Sequence, residues 1–200
     1  MTLFSGKDCP YSHAARIVLR EKDVECDYRY LDGPRQLEAL AEYNPYLETP
    51  TLLDREVVLY DAALICEYLD ERLPHPPLMA VDPVGRSRIR LLIHRLRRDW
   101  IDAVKKLGGR NDRLSEANRA LIRDGLISIS PVFRDQAYLI ASDYTLADAF
   151  MAPLLWRLPA LGIKLPKPAA PLRRYADRLF ARPAFLESLT ETESALRQNA

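Results

Sequence analysis

Short apolar runs and helical repeats alternate along the first part of the chain. Residues 2–4 form an apolar run that predicts a strand, and Pro10 suits the first turn of a helix that we expect to reach about Lys22. In residues 25–30, charged residues alternate with Cys or Tyr, the period of two that is typical of a strand with one packed face. The pattern indicates an α/β domain.

A short helix and a β-hairpin follow. Residues 37–41 predict the helix, and Asn44 ends it because Pro45 disfavours a helical backbone at the preceding residue. Residues 51–53 and 57–60 are two apolar runs joined by three residues. This spacing predicts a hairpin rather than a crossover connection.

A third helix and a proline-rich stretch complete this part of the chain. Residues 64–69 repeat at helical spacing, with Asp61 near the positive end of the helix dipole. Residues 73–83 are rich in proline and predict an extended linker, because proline is excluded from helix interiors. We therefore expect a thioredoxin-like domain with a mixed four-stranded sheet at residues 1–78.

The remaining chain carries helix signals and no strand pattern, which predicts an all-helical domain at residues 83–200. Asp82 is suited to be an N-cap with Pro83 at the first helical position, and residues 145–148 (Thr-Leu-Ala-Asp) have the form of a capping box. Further helices are expected at residues 116–129, 172–180 and 184–189. The predicted fold class is α/β plus all-α.

The charge and cysteine content narrow the function classes. Lys and Arg number 29 and Asp and Glu 28, so the net charge of +1 gives no global field toward nucleic acid or membranes. Cys9, Cys26 and Cys66 are an odd number without a CxxC pair, which supports neither a disulfide framework nor a four-thiolate zinc site. We expect a cytoplasmic protein without a bound metal and without an association with membranes.

The order of elements resembles the glutathione-transferase superfamily. Glu48-Thr49-Pro50-Thr51 matches the family's motif before the hairpin, and residues 145–148 match the cap of a central helix in its second domain. In that family the proline is cis and the residue before it, here Thr49, pairs its backbone with glutathione. A plain turn proline is the alternative.

Three further runs resemble the stringent starvation protein A family within that superfamily. They are residues 11–13 (Tyr-Ser-His), residues 68–72 (Tyr-Leu-Asp-Glu-Arg) leading into residues 74–79 (Pro-His-Pro-Pro-Leu-Met), and residues 152–159 (Ala-Pro-Leu-Leu-Trp-Arg-Leu-Pro). The resemblance implies a homodimer that generally lacks transferase activity. It also implies association with RNA polymerase holoenzyme, or a sigma factor bound to it, during stress responses.

Within this resemblance, residues 74–79 are the expected partner-binding surface. The residues are Pro74, His75, Pro76, Pro77, Leu78 and Met79. The matching Pro-His-Pro of the family belongs to a surface pocket required for regulation, and stiff proline segments lose little entropy on docking. A rigid linker between domains is the alternative.

Cys9 keeps an enzymatic alternative open. With Pro10 after it, this cysteine lies where cysteine-type transferases place their thiol, and a helix N-terminus stabilises a thiolate. Asp8 opposes that anion and Lys7 partly offsets the opposition. We expect no catalytic residue, with Cys9 as the alternative nucleophile of a glutathione or thiol transferase.

The expected glutathione site departs from the family at the start of the third helix. The family uses an acidic residue or glutamine followed by serine, whereas this chain has Asp61-Ala62. Ala62 lacks the hydroxyl for the ligand carboxylate, a loss of about 1 kcal/mol. We regard Cys9, Thr49, Pro50, Asp61 and Ala62 as vestigial site positions. No cofactor is expected to be required, and glutathione stays open as a ligand.

The first helix of the second domain is rich in arginine. Its arginines are Arg86, Arg88, Arg90, Arg95, Arg97 and Arg98. Such a face suits DNA phosphates or acidic protein groups. A solvated or dimer-facing helix is the interpretation that we favour, because the net charge is near zero and no DNA-recognition motif accompanies it. Direct nucleic-acid binding is not expected.

Overall fold

The computed structural model describes residues 1–107, 113–140 and 142–198. The chain divides into two compact units. The first comprises Met1–Pro77 and Pro183–Ser194, and the second comprises Leu78–Arg182 and Ala195–Ala200.

A four-stranded mixed sheet forms the centre of the first unit. The strands are β1 (Thr2–Gly6), β2 (Asp27–Leu31), β3 (Thr51–Asp54) and β4 (Val57–Leu59), and their order in the sheet is β2-β1-β3-β4. β1 pairs with β2 in parallel and with β3 antiparallel, and β3 and β4 form the predicted antiparallel hairpin.

Most helices lie close to the positions that the sequence predicts, but the short helix expected at residues 37–41 lies earlier in the chain, at Pro34–Leu37. In chain order they are α1 (Pro10–Glu21), α2 (Pro34–Leu37), α3 (Ala62–Arg72), α4 (Pro83–Leu96), α5 (Asp102–Leu107), α6 (Arg113–Ile129), α7 (Leu146–Arg157), α8 (Ala170–Phe180), α9 (Pro183–Ser188) and α10 (Glu191–Gln198). A 3-10 turn, Glu38–Leu40, follows α2, and a π-helical turn, Arg97–Ile101, joins α4 to α5.

The core of the first unit is formed by apolar residues at the strand and helix periods that its sequence shows. Leu3 and Leu52 come from paired strands, and Ile17, Ile65 and Leu69 come from α1 and α3; all five are fully buried. Burying apolar surface of this kind is the main driving force of folding.

The segment Pro183–Ser194 packs with the first unit, where α1 contacts α9. The division expected from the sequence placed these residues in the helical domain, because they follow it in the chain. In the structure, these residues belong to the sheet-containing unit instead.

In the second unit, α4 and α7 form the centre. Ile89, Ile93 and Leu96 are the buried stripe of α4, as the helical period predicts. α7 is buried along nearly its whole length, and its capping box is present: Asp148 accepts the backbone N–H of Thr145 at 2.9 Å.

The predicted fold class is confirmed by these elements, with an α/β unit and a helical unit. Among the described residues, no helix has the length and apolar character needed to span a bilayer.

Candidate functional site

Cys9 lies at the start of α1, three residues after the end of β1. It is the N-cap residue with an extended backbone, and its half-buried thiol donates to the Thr49 carbonyl with an Sγ–O distance of 3.7 Å. The backbone N–H of His13 donates to the Cys9 carbonyl at 2.9 Å. The structure therefore brings together Cys9 and Thr49, which the sequence predicted as parts of one site.

Gly6 makes this approach possible. A Cβ on Gly6 would lie 2.8 Å from Cys9 Cβ and 2.9 Å from Thr49 Oγ1, closer than side-chain carbons normally approach other atoms. The Gly6 N–H donates to Ser12 Oγ at 3.0 Å, which ties the end of β1 to the first turn of α1. Sequence reasoning missed Gly6, and the signal available was a glycine at the end of a strand and three residues before Cys9.

Thr49 and Pro50 are joined by a cis peptide bond, and buried polar side chains hold the loop that precedes it. Asn44 donates to the Glu48 carbonyl at 2.9 Å and to Thr51 Oγ1 at 3.0 Å. Thr51 Oγ1 in turn donates to the Glu48 carbonyl at 2.9 Å. These hydrogen bonds thus fix the residues on both sides of Thr49.

Asp61 and Ala62 lie at the start of α3. Asp61 is the N-cap, and its Oδ1 accepts the N–H groups of Ala63 at 2.9 Å and of Leu64 at 3.2 Å. Ala62 is buried and carries no polar atom on its side chain. The carboxylate therefore caps the helix, and nothing at position 62 replaces the hydroxyl that is expected of a glutathione site.

The predicted partner-binding residues divide into an exposed and a buried group. Pro74, His75, Pro76 and Pro77 are exposed, as expected of a docking surface. Leu78 and Met79 are only 3% and 7% exposed, so their side chains are not open to a partner. The accessible part is residues 74–77, which we call the docking segment.

Lys22 connects the end of α1 to the docking segment, a contact that sequence reasoning missed. Its Nζ lies 2.6 Å from Asp70 Oδ1 in α3 and donates to the Pro76 carbonyl oxygen at 2.5 Å. No local pattern signals this contact, because Asp70 and Pro76 lie 48 and 54 residues away in the chain.

A second buried polar cluster joins α1 to the segment Pro183–Ser194. Arg16 Nη2 lies 2.5 Å from Glu193 Oε2, and Arg16 Nε donates to the Ser188 carbonyl at 2.9 Å. His13 Nδ1 lies 3.5 Å from Glu193 Oε1, and its Nε2 lies 3.0 Å from Ser188 Oγ. Ser188 Oγ donates to the Phe185 carbonyl at 2.7 Å, so its proton is engaged and the arrangement ties elements together rather than activating a nucleophile.

In the second unit, an apolar cavity of about 770 Å³ lies between α4 and α6. Its lining includes the apolar side chains of Leu92, Trp100 and Leu121, together with Arg95 and Arg98. Arg88 and Arg90 of α4 are also exposed. Among the described residues, no group of three His, Cys, Asp or Glu side chains is placed to hold a metal ion.

Comparisons with known proteins agree with this architecture. A model of the glutathione S-transferase N-terminal domain matches residues 3–77, and a model of the C-terminal domain matches residues 111–183. The fold is also similar to that of BphK, a bacterial glutathione S-transferase solved as a ternary complex: the TM-score is 0.85 at 20% identity, covering 97% of this chain and 100% of that one.

Relatives of higher identity carry a narrower description. The chain is 46% identical to a stringent starvation protein A homolog of Coxiella burnetii, over 99% of this chain and 95% of the relative. It is 40% identical to the homolog of Haemophilus influenzae, over 96% and 91% of the two chains. This chain therefore belongs to the stringent starvation protein A family, within the glutathione S-transferase superfamily.

Proposed function

We propose that this protein is a cytoplasmic transcription regulator that acts in starvation and stress by binding RNA polymerase holoenzyme, or a sigma factor bound to it. The action is by protein contact and needs no catalysis or cofactor. The observation that carries the proposal is the exposed Pro-His-Pro-Pro docking segment in a chain of this family.

The chemistry of the docking segment suits a protein partner. Three proline rings offer rigid apolar surface, and their restricted backbone loses little conformational entropy when a partner docks. His75 adds a ring with nitrogen atoms that can donate or accept a hydrogen bond. A few residues at the centre of an interface can carry most of its binding free energy.

The residues at the positions expected to bind glutathione support a function other than that of a glutathione transferase. Asp61 uses its carboxylate to cap α3, and Ala62 offers no hydroxyl to a ligand carboxylate. A ligand that loses one hydrogen bond to a charged group binds about tenfold or more weakly.

We further propose a homodimer that uses the face formed by α4 and α6. Leu91 and Leu121 are exposed apolar side chains on this face, beside the apolar cavity that Trp100 lines. A second copy would cover this apolar surface.

The first prediction concerns the docking segment. A triple variant, Pro74→Ala, His75→Ala and Pro76→Ala, is expected to bind polymerase holoenzyme at least about tenfold more weakly, because it removes the stiff rings and the imidazole. Binding is measured with purified holoenzyme by surface plasmon resonance, and in starved cells by affinity purification of the tagged chain.

The chain offers a matched control in the exposed sequence Pro166, Lys167 and Pro168 of the second unit. A triple alanine variant there is expected to bind like the wild type. Unchanged affinity of the docking-segment variant, with its circular dichroism spectrum intact, would reject the proposed surface.

A second candidate function is a glutathione or thiol transferase with Cys9 as its nucleophile. It is favoured by the position of Cys9 at the N-terminus of α1 and 3.7 Å from the Thr49 carbonyl. Retention of the wild type on immobilised glutathione, with turnover of a thiol substrate that the Cys9→Ser variant loses, would replace the regulator by this enzyme.

A further inference from the structure

The docking segment has few backbone N–H groups that could hold it in place through hydrogen bonds. Of residues 74–77, His75 alone has a backbone N–H, because proline nitrogens carry no hydrogen. The segment therefore offers mainly carbonyl oxygens, and a donor from elsewhere must fix them.

Lys22 supplies such a donor. Its ammonium group bridges two acceptors, Asp70 Oδ1 at 2.6 Å and the Pro76 carbonyl oxygen at 2.5 Å. The compact ammonium carries three protons, so it can donate to both acceptors at once.

Burial makes this bridge specific. The side chains of Lys22 and Asp70 are 0% and 7% exposed. A buried ammonium that lacks partners is costly, so Lys22 is held to these acceptors rather than exchanging them for water. Pro76 and Pro77, by contrast, are exposed. The bridge thus lies beneath a segment whose outer face is open.

We propose that Lys22 is a positioning residue for the docking segment: it clamps the Pro76 carbonyl to Asp70 of α3, and so presents the exposed prolines and His75 as a rigid surface to the polymerase partner. This inference rests on the proposed function for the identity of the partner. The clamp itself is a property of the free protein.

The test measures rigidity and binding separately. In the wild type, the 15N relaxation order parameter of the His75 amide is expected near the rigid value of about 0.85. In Lys22→Met, which keeps the side-chain length and removes the donors, the order parameter is expected to fall below about 0.6. The affinity for purified holoenzyme is expected to fall at least about tenfold in the same variant.

Two further variants complete the test. Lys22→Met combined with Asp70→Asn removes both buried charges, so it keeps the test valid if the single variant fails to fold. Lys167→Met removes an exposed lysine of the second unit and is the control, with both readouts expected to equal the wild type.

Each possible outcome supports or contradicts a stated part of the proposal. A His75 amide that is already flexible in the wild type, or equally rigid without Lys22, overturns the clamp. A flexible segment with unchanged polymerase affinity overturns its role in docking. If the wild type does not bind polymerase at all, the proposed function fails, and the relaxation data still decide whether Lys22 holds the segment.

Discussion

Cys26 precedes β2 with a half-buried side chain, and this partial burial raises the pKa of its thiol from 9.0 to about 11. The positive chain terminus opposes the shift but does not cancel it. At pH 8 the thiolate fraction is then about a hundredfold smaller than for a free thiol, because two pKa units separate them. The surroundings of this residue therefore protect it from alkylation.

We predict that the alkylation rate of Cys26 rises with a midpoint near pH 11 in the folded protein. After denaturation, the midpoint is expected to return to about 8.5–9. Iodoacetamide labelling across pH, read out by peptide mass spectrometry, measures both. A folded midpoint at or below the denatured one would contradict the effect of burial.

The role of a single residue could be predicted where the groups that it contacts lie close to it in the sequence. The cap at Asp61 follows from its place before a helix, and the lack of a hydroxyl at position 62 follows from the alanine itself; the structure has both. The bridge from Lys22 to Asp70 was not predictable, because a lysine at a helix end is normally solvated and its partner lies 48 residues away.

At the scale of elements, α7 depends on Asp148. This carboxylate is fully buried and accepts four hydrogen bonds, from the Thr145 N–H and hydroxyl, the Leu139 N–H and the Tyr175 hydroxyl. Burial raises the pKa of Asp148, while these hydrogen bonds lower it. The side chain thus holds together the start of α7, the preceding loop and α8.

We predict that Asp148→Ala lowers the free energy of unfolding by at least about 3 kcal/mol, because it leaves several buried donors unsatisfied at about 1–3 kcal/mol each. Urea denaturation followed by circular dichroism measures the loss. Asp143→Ala, at an exposed position nearby, is the control and is expected within about 0.5 kcal/mol of the wild type. A loss below about 1 kcal/mol for Asp148→Ala would mean that the donors find other partners.

Element positions were largely predictable, and the bonds between elements were not. Thr145 and Asp148 are three residues apart, so the capping box is visible in the sequence and is confirmed. Tyr175 lies 27 residues beyond Asp148, and its hydroxyl reaches the carboxylate at 2.7 Å. No periodicity within one helix encodes that pairing.

At the scale of the molecule, the segment Pro183–Ser194 completes the first unit through Glu193. Its carboxylate lies fully buried between Arg16 and His13. A helix at residues 184–189 was predicted from its pattern, and α9 is there. Its place in the first unit was not predicted, because it depends on contacts more than 170 residues apart in the chain.

We predict that Glu193→Gln destabilises the protein by about 3–5 kcal/mol, because it leaves the Arg16 charge buried without its counter-ion. Glu191→Gln, at an exposed position of the same helix, is the matched control. Thermal and urea unfolding of both variants measure the difference. Equal stability of the two variants would show that the hydrogen bonds of Arg16 to Ser5, Gly6 and Ser188 suffice.

The distance between Arg16 and Glu193 has a consequence for biosynthesis. The carboxylate is added to the growing polypeptide 177 residues after the guanidinium that it neutralises. At about 5–20 residues per second, translation leaves the nascent α1 without this counter-charge for roughly 10–35 s. The first unit therefore cannot be completed before Glu193 has been synthesised, and a chaperone that shields nascent chains would protect this helix during that interval.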